Sequence, residues 1–392
     1  MQEILERIDA RLDESIAQLT DFVRIPSISA GADKDATSIH QAADFLLNQF
    51  AGMAFTAQKI QVSADTHPLV VAKSPGFSNE RPTVMVYGHY DVQGVDNPRT
   101  AWDVDPFAAV VRDGYLIARG ASDNKGPTFA HIKAVETILQ CGAALPVDLL
   151  FVIEGEEECG SRALGAFIAQ GGLDEYAPFL CTVISDTSMY GPDRPSLTLG
   201  LRGIVYFEIT VHGPKQDMHS GLFGGIVHNP NQVLLQALAG LFDAEGHIAV
   251  PGFYDGITPL SAREKSLYAA LEAKEEDYCR ELGVEVLKSE GDYSLLERRW
   301  TRPTLEINHL SGGSPRTVIP AVAHAAISAR LVPGQDPDKI QAILEERIRA
   351  QVPKGARVEF SHAHTSPAYY LDLDHPLVEP TLSAMRQGFD TD

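Results

Sequence analysis

The stretch that decides the fold is Thr83-Val84-Met85-Val86-Tyr87-Gly88-His89-Tyr90-Asp91, in which a short apolar run ends in polar side chains. Two more apolar runs of this kind occur at 148–153 and 179–184, with helical patterns between them. Strands that are apolar at nearly every position are buried on both faces, which requires a parallel or mixed sheet covered by helices. Residues 1–203 are therefore predicted to form an α/β domain.

Helical periodicity is clearest ahead of the first of these runs. Apolar residues recur about every 3.6 positions across residues 4–23 and predict one amphipathic helix, which must end before Pro26. A second helix is predicted over residues 39–50.

The pattern changes beyond Gly203, where apolar and polar residues alternate. Strands are predicted at 204–211, 304–310, 323–332 and 357–362, and helices at 231–242 and 336–351. The order β-α-β-β-α-β is that of the ferredoxin-like α+β arrangement. It is interrupted by a charged helical insertion at about 261–297.

These patterns predict two domains, the α/β domain at 1–203 and a second one at 204–366. Residues 367–392 are expected to return to the first domain. A helix predicted near 382–387 is followed by no strand that would complete the sheet, so this domain is expected to be truncated in the chain as given.

Composition excludes two classes of partner. The chain has 392 residues, 53 acidic and 32 basic, and a formal net charge of −21. Nucleic acids and anionic membranes both require basic surface, so neither is an expected partner. The N-terminus has no signal-peptide pattern, and no apolar run of about 18 residues occurs, so we expect a cytoplasmic protein.

Metal-type ligands follow the predicted strands at the points where they end. His89 and Asp91 follow the first apolar run. Three glutamates at 156–158 follow the second, and Asp186 follows the third. Asp123 precedes a predicted helix. In open α/β sheets, functional sites form outside the carboxyl ends of the strands.

Each of these groups has an ordinary structural explanation by itself: a hydrogen-bonded turn histidine, a solvated charge run, a helix cap. Together they are costly, because clustered carboxylates repel one another unless a cation neutralises them. Imidazole and carboxylate without thiolate suit Zn²⁺, Mn²⁺ or Co²⁺, and two ions sharing one carboxylate are more natural than one. Asp91 is placed to hold the second imidazole nitrogen of His89.

Seven segments carry a family resemblance. Four resemble the metal-site signatures of the dinuclear zinc peptidases of the aminoacylase/carboxypeptidase type: Gly88–Val92, Arg119–Gly126, Glu154–Ser161 and Ser185-Asp186. Three favour the branch of cytosolic nonspecific, carnosine-type dipeptidases: Gly200–Gly203, His219–Gly221 and Arg316–Pro320. The match covers nearly the whole chain in order.

The resemblance implies a role for each site residue. The metal ligands would be His89, Asp123, Glu158 and Asp186, with His89 and Asp186 on one ion, Asp123 bridging, and Glu158 on the other. Glu157 would be the general base, and Asp91 would orient His89. The peptide bond after Asp123 is commonly cis in this family.

The resemblance also implies that 1–203 is a catalytic metallopeptidase domain, continued by 367–392, and that 204–366 is a lid domain through which the chain forms a homodimer. His219, from the partner's lid, would stabilise the oxyanion. Arg330 and Thr317 would bind the substrate, and Arg330 would contact the substrate's carboxylate. Without the family, His219 is equally well a solvated loop histidine. For Arg330, a surface charge at a strand edge is the less favoured alternative. The family's last metal-binding histidine lies in a C-terminal segment beyond Asp392, so we expect weak binding of the second ion.

The expected function is metal-dependent hydrolysis of dipeptides or short peptides that have a free C-terminal carboxylate. Zinc is the favoured metal, with manganese or cobalt as alternatives. Two other functions remain open: an amidohydrolase acting on N-acyl amino acids, which would share the metal core, and a catalytically dead dimeric scaffold.

Overall fold

The computed structural model describes residues 2–95, 102–191 and 194–391. The chain divides into two compact units, Met1–Ser188 and Met189–Asp392. The division between the units falls after Ser188, ahead of the predicted boundary at residue 203. It also places residues 367–392 in the second unit. The assignment of 1–203 with 367–392 to a catalytic domain, and of 204–366 to a lid, stays a prediction.

The first unit is built on a five-stranded mixed sheet. Its elements are α1 (Gln2–Ala10), α2 (Leu12–Val23), α3 (Ala36–Gly52), β1 (Thr56–Ile60), β2 (Leu69–Lys73), β3 (Thr83–His89), β4 (Val110–Arg112), β5 (Tyr115–Ile117), α4 (Lys125–Gln140), β6 (Asp148–Glu154), α5 (Arg162–Ala169) and β7 (Phe179–Ile184). The strand order is β1-β2-β6-β3-β7. Strand β3 runs parallel to β6 and β7, whereas β2 runs antiparallel to both β1 and β6.

The sheet is covered on both faces, as the apolar runs predict. All seven residues of β6 are buried. Alternate residues of the strands enter different apolar clusters: Val70 packs with residues of α2, α3 and α4, whereas Val71 packs with Ala163 of α5. The predicted mixed sheet covered by helices is therefore confirmed.

The prediction of one N-terminal helix over 4–23 is wrong. The helix breaks at Arg11, which separates α1 from α2 and has a φ of −110°. The Arg11 guanidinium donates hydrogen bonds to Glu14 and, at 2.6 Å, to Gln140 at the end of α4. No residue of α1 is buried, so α1 is not anchored in the apolar core as α2 is by Phe22 and Val23.

The second unit contains the predicted ferredoxin-like arrangement. Its elements are β8 (Gly200–Leu201), β9 (Gly203–His212), β10 (Met218–His219), α6 (Ser220–Phe223), α7 (Pro230–Ala239), α8 (Ala262–Ala270), α9 (Glu275–Leu282), α10 (Leu295–Trp300), β11 (Thr304–Ser311), β12 (Val318–Ile319), β13 (Val322–Leu331), α11 (Pro337–Gln351), β14 (Arg357–Ser366), β15 (Tyr369–Tyr370) and α12 (Val378–Phe389). The antiparallel sheet has the order β11-β13-β9-β14. Helices α8 to α10 are the predicted insertion.

Helix α11 shows why this unit folds locally as its sequence indicates. The Asp336 side chain caps the helix by accepting hydrogen bonds from the backbone N–H groups of Asp338 and Lys339. One face of the helix buries Leu344 and Ile348 in the core that also contains residues of β9, β13 and α7. Within the described residues, we find no helix with the length and apolar character needed to span a bilayer.

Candidate active site

His89 lies at the centre of the candidate site because it is the last residue of β3, the central parallel strand. Its imidazole is fully buried. The Nε2 atom lies 3.0 Å from Asp123 Oδ1, 3.5 Å from Asp186 Oδ2 and 4.0 Å from Glu157 Oε2. Three strand ends and the start of α4 therefore meet at this edge, as the sequence predicts.

Asp91 contacts both the His89 imidazole and the turn that carries Glu157 and Glu158. The His89 Nδ1 atom lies 3.0 Å from the backbone oxygen of Asp91 and 3.3 Å from its carboxylate Oδ1. The buried carboxylate also accepts hydrogen bonds from the backbone N–H groups of Glu157, at 3.2 Å, and Glu158, at 3.1 Å. The shorter imidazole contact is therefore to the backbone, and the carboxylate mainly holds the turn that carries the two glutamates.

Glu157 and Glu158 lie on a single 3-10 turn after β6. Gln93 donates a 3.0 Å hydrogen bond to Glu158 Oε2. Burial raises the pKa of Glu157 to about 7, and neighbouring carboxylates add to this rise while His89 opposes it. Burial also raises the pKa of Glu158.

The field at this edge is strongly negative. Burial favours the neutral imidazole of His89, but the carboxylates of Asp186 and Asp91 outweigh burial and raise its pKa to about 11. In turn, the hydrogen bond that Asp186 accepts from His89 lowers the pKa of the Asp186 carboxyl group. A site that stabilises positive charge on an imidazole in this way also attracts a metal cation.

The donor set fits a divalent metal. Among the described residues, one potential metal cluster occurs, formed by His89, Asp123 and Asp186, whose ligand atoms all lie within 4.8 Å of one another. Imidazole and carboxylate oxygen with no thiolate suit Zn²⁺, Mn²⁺ or Co²⁺. Glu158 is outside this triad, and its assignment to a second ion stays a prediction. The peptide bond between Asp123 and Asn124 is cis, as expected.

The second unit brings His219 next to Thr317. His219 pairs with Val318 across β10 and β12, and the Thr317 carbonyl accepts hydrogen bonds from the backbone N–H and the hydroxyl of Ser220. The Gly221 N–H donates to His219 Nδ1 at 3.0 Å. Because Nδ1 accepts, the neutral ring carries its proton on Nε2, which leaves an exposed donor.

Arg330, near the end of β13, is exposed and pairs in register with Thr304 and Ile204 on the flanking strands. Its charged neighbour is another arginine. Burial lowers the pKa of Arg202, and the nearby charges of Arg330 and Arg299 lower it further. Sequence reasoning gave Arg202 no role, although it lies within the family-type segment Gly200–Gly203.

The model of peptidase family M20/M25/M40 matches residues 85–391. The chain belongs to this family. It is 32% identical to the Cys-Gly metallodipeptidase dug1 of Schizosaccharomyces pombe over 393 residues, which cover 96% of this chain and 82% of that protein. It is 34% identical to the Beta-Ala-His dipeptidase of Mus musculus, over 89% of this chain and 74% of that protein.

A solved structure shows the same fold. The crystal structure of human carnosine dipeptidase 1 matches with a TM-score of 0.84 and 29% identity, covering 100% of this chain and 85% of that one. Membership of the family confirms the predicted resemblance, the fold class and the enzyme class, a metallopeptidase-type hydrolase. The roles assigned to individual residues stay predictions.

Proposed function

We propose that the protein hydrolyses dipeptides and short peptides with a free C-terminal carboxylate. The observation that carries this proposal is the junction of His89, Asp123 and Asp186 at one sheet edge, with Glu157 Oε2 4.0 Å from the His89 imidazole. Two relatives at 32% and 34% identity are dipeptidases by name, which supports the substrate class.

Two divalent ions are proposed, most simply zinc, with manganese or cobalt as alternatives. His89 and Asp186 would hold one ion, Glu158 the other, and Asp123 would contact both. When bound, such ions act as Lewis acids and lower the pKa of water towards about 7. The support for this assignment is the cluster of His89, Asp123 and Asp186, in which the two carboxylates repel each other unless a cation lies between them.

Glu157 is proposed as the general base and acid. Its carboxylate is half-buried beside the ligand cluster, on a turn that Asp91 holds through two backbone hydrogen bonds. From this position it would take a proton from the attacking water and deliver it to the leaving amine. Asp91 would keep both the base and the His89 imidazole in place.

His219 and Arg330 are proposed to act on the substrate. The exposed Nε2–H of His219 would donate to the developing oxyanion, and a second copy of the chain would supply it. Thr317, adjacent to His219, would line the same subsite. Arg330 would bind the substrate carboxylate through two parallel hydrogen bonds, with Arg202 adding positive charge.

A homodimer through the second unit is proposed on the evidence of its open sheet edge. Strand β11 is an edge strand and leaves Ile307 and Leu310 39% and 46% exposed. Unpaired edge strands with exposed apolar side chains are ready to pair with another chain.

A cytoplasmic location is proposed from the cysteines. All four are free thiols, and Cys159 is exposed, which favours a reducing compartment.

The test is a substrate panel given to the metal-loaded protein: a dipeptide, the same dipeptide with a C-terminal amide, and an N-acyl amino acid. We expect chelator-sensitive release of amino acids from the free dipeptide, and an E157Q variant about 10²- to 10⁴-fold slower. Cleavage of the N-acyl amino acid alone would instead identify an amidohydrolase. Metal uptake without hydrolysis of any member would support the scaffold and refute the proposal.

A further inference from the structure

Asn124 occupies the position where helix α4 begins, but it does not cap that helix. Asparagine is a preferred N-cap residue because its side-chain oxygen accepts a hydrogen bond from a first-turn N–H group. Here the side chain makes no such bond, although α4 has 16 residues. The residue is only 1% exposed, so its side-chain amide must find hydrogen-bond partners elsewhere in the protein.

Those hydrogen bonds lead to a proposed metal ligand. The Asn124 Nδ2 group donates to Asp186 Oδ1 at 2.8 Å and to the Ser185 backbone oxygen at 3.0 Å. The other oxygen of that carboxylate, Oδ2, lies 3.5 Å from His89 Nε2. The amide therefore occupies one oxygen of Asp186 and leaves the other directed to the ligand cluster.

Thr128 determines which way the amide of Asn124 is turned. Its hydroxyl, one helical turn further along α4, donates to Asn124 Oδ1 at 2.6 Å. A flipped amide would face that hydroxyl with N–H groups and would face Asp186 with an oxygen. Gly88 leaves the room for this pair, because a Cβ there would lie 2.1 Å from Thr128 Oγ1 and 3.0 Å from Asn124 Oδ1.

We propose that Asn124 is a positioning residue that holds Asp186 for metal binding, with Thr128 fixing the orientation of its amide. The inference rests on the metal-binding role of Asp186 in the proposed function. It accounts for three features together: an uncapped helix start, a buried amide with every group bonded, and a glycine immediately before His89. Residues that orient metal ligands in this way typically change metal affinity about 10- to 100-fold when removed.

The experiment measures Co²⁺ affinity by competition with a chromophoric chelator, together with the Co²⁺ absorption spectrum. N124A should bind about 10- to 100-fold more weakly and with an altered spectrum. T128V, which keeps the shape but removes the hydroxyl, should also bind more weakly, whereas T128S should restore affinity. The double variant should bind as N124A does, because Thr128 acts only through Asn124.

The matched control is T137V on the same helix. Thr137 is buried, and its hydroxyl donates to the Lys133 backbone oxygen at 2.8 Å, so this variant also removes one buried hydroxyl hydrogen bond from α4. It should leave Co²⁺ affinity unchanged. Affinity in N124A and T128V equal to that of the unaltered protein would overturn the inference alone, whereas an unaltered protein that binds no Co²⁺ would overturn the proposed function as well.

Discussion

The D91N substitution tests which contact of Asp91 matters most. The two hydrogen bonds from the Glu157 and Glu158 backbone use both carboxylate oxygens, at 3.2 and 3.1 Å. An asparagine replaces one oxygen with an NH₂ group, which leaves one buried N–H facing another donor. An unsatisfied buried donor costs about 1–3 kcal/mol, so the free energy of unfolding should fall by about that amount.

The effect on activity should exceed the effect on metal binding. His89 keeps its nearer contact, the 3.0 Å hydrogen bond to the Asp91 backbone oxygen, so metal affinity should fall by only about tenfold, the low end of the usual range. The turn that carries Glu157 loses one of its two hydrogen bonds to Asp91, and displacement of the proposed general base should lower kcat by about 10²-fold even at saturating metal.

D148N is a matched control for this experiment. Asp148 is also fully buried and lies at the other end of β6, where its Oδ2 accepts two consecutive backbone N–H groups, from Ser78 at 3.1 Å and Asn79 at 2.9 Å, and its Oδ1 pairs with Arg81. An asparagine there cannot satisfy all three donors, so D148N should also lose stability but keep the kcat and metal affinity of the unaltered protein. Metal titration, urea unfolding and kcat at saturating metal measure the three quantities. A D91N variant with strongly reduced metal affinity and unchanged kcat would refute the reasoning.

Three further predictions concern the second unit. R330K should raise KM for peptides with a free carboxylate by about 10- to 100-fold, since a lysine cannot form the bidentate pair, and should leave KM for C-terminally amidated peptides unchanged in steady-state assays. L344A, at a fully buried position, should lower the free energy of unfolding by about 2–5 kcal/mol in urea titrations, whereas L267A, at a position 47% exposed, should change it by less than about 0.5 kcal/mol. L310D on β11 should convert a dimer to monomers in analytical ultracentrifugation, and a dimer that persists would place the interface elsewhere.

Much of the candidate site could be predicted because its residues adjoin strand ends. Apolar runs identified β3, β6 and β7, and parallel strands necessarily bring their carboxyl ends to one edge. The ferredoxin-like order in the second unit followed from alternation and from helical spacing, including the Asp336 cap. By contrast, the break at Arg11 coincides with a hydrogen bond to Gln140, 129 positions away, and helical periodicity does not reveal such a contact.

By itself, the sequence determined the fold class, the family and the identities of the candidate ligands, because periodicity and strand-end position are local properties of the chain. Only the tertiary structure decided how those residues are held. Asp91 bonds to a turn 66 positions away, and Asn124 turns from its own helix to Asp186, 62 positions away. Such contacts depend on side-chain direction and on the space left by neighbours, which are set when distant segments pack together.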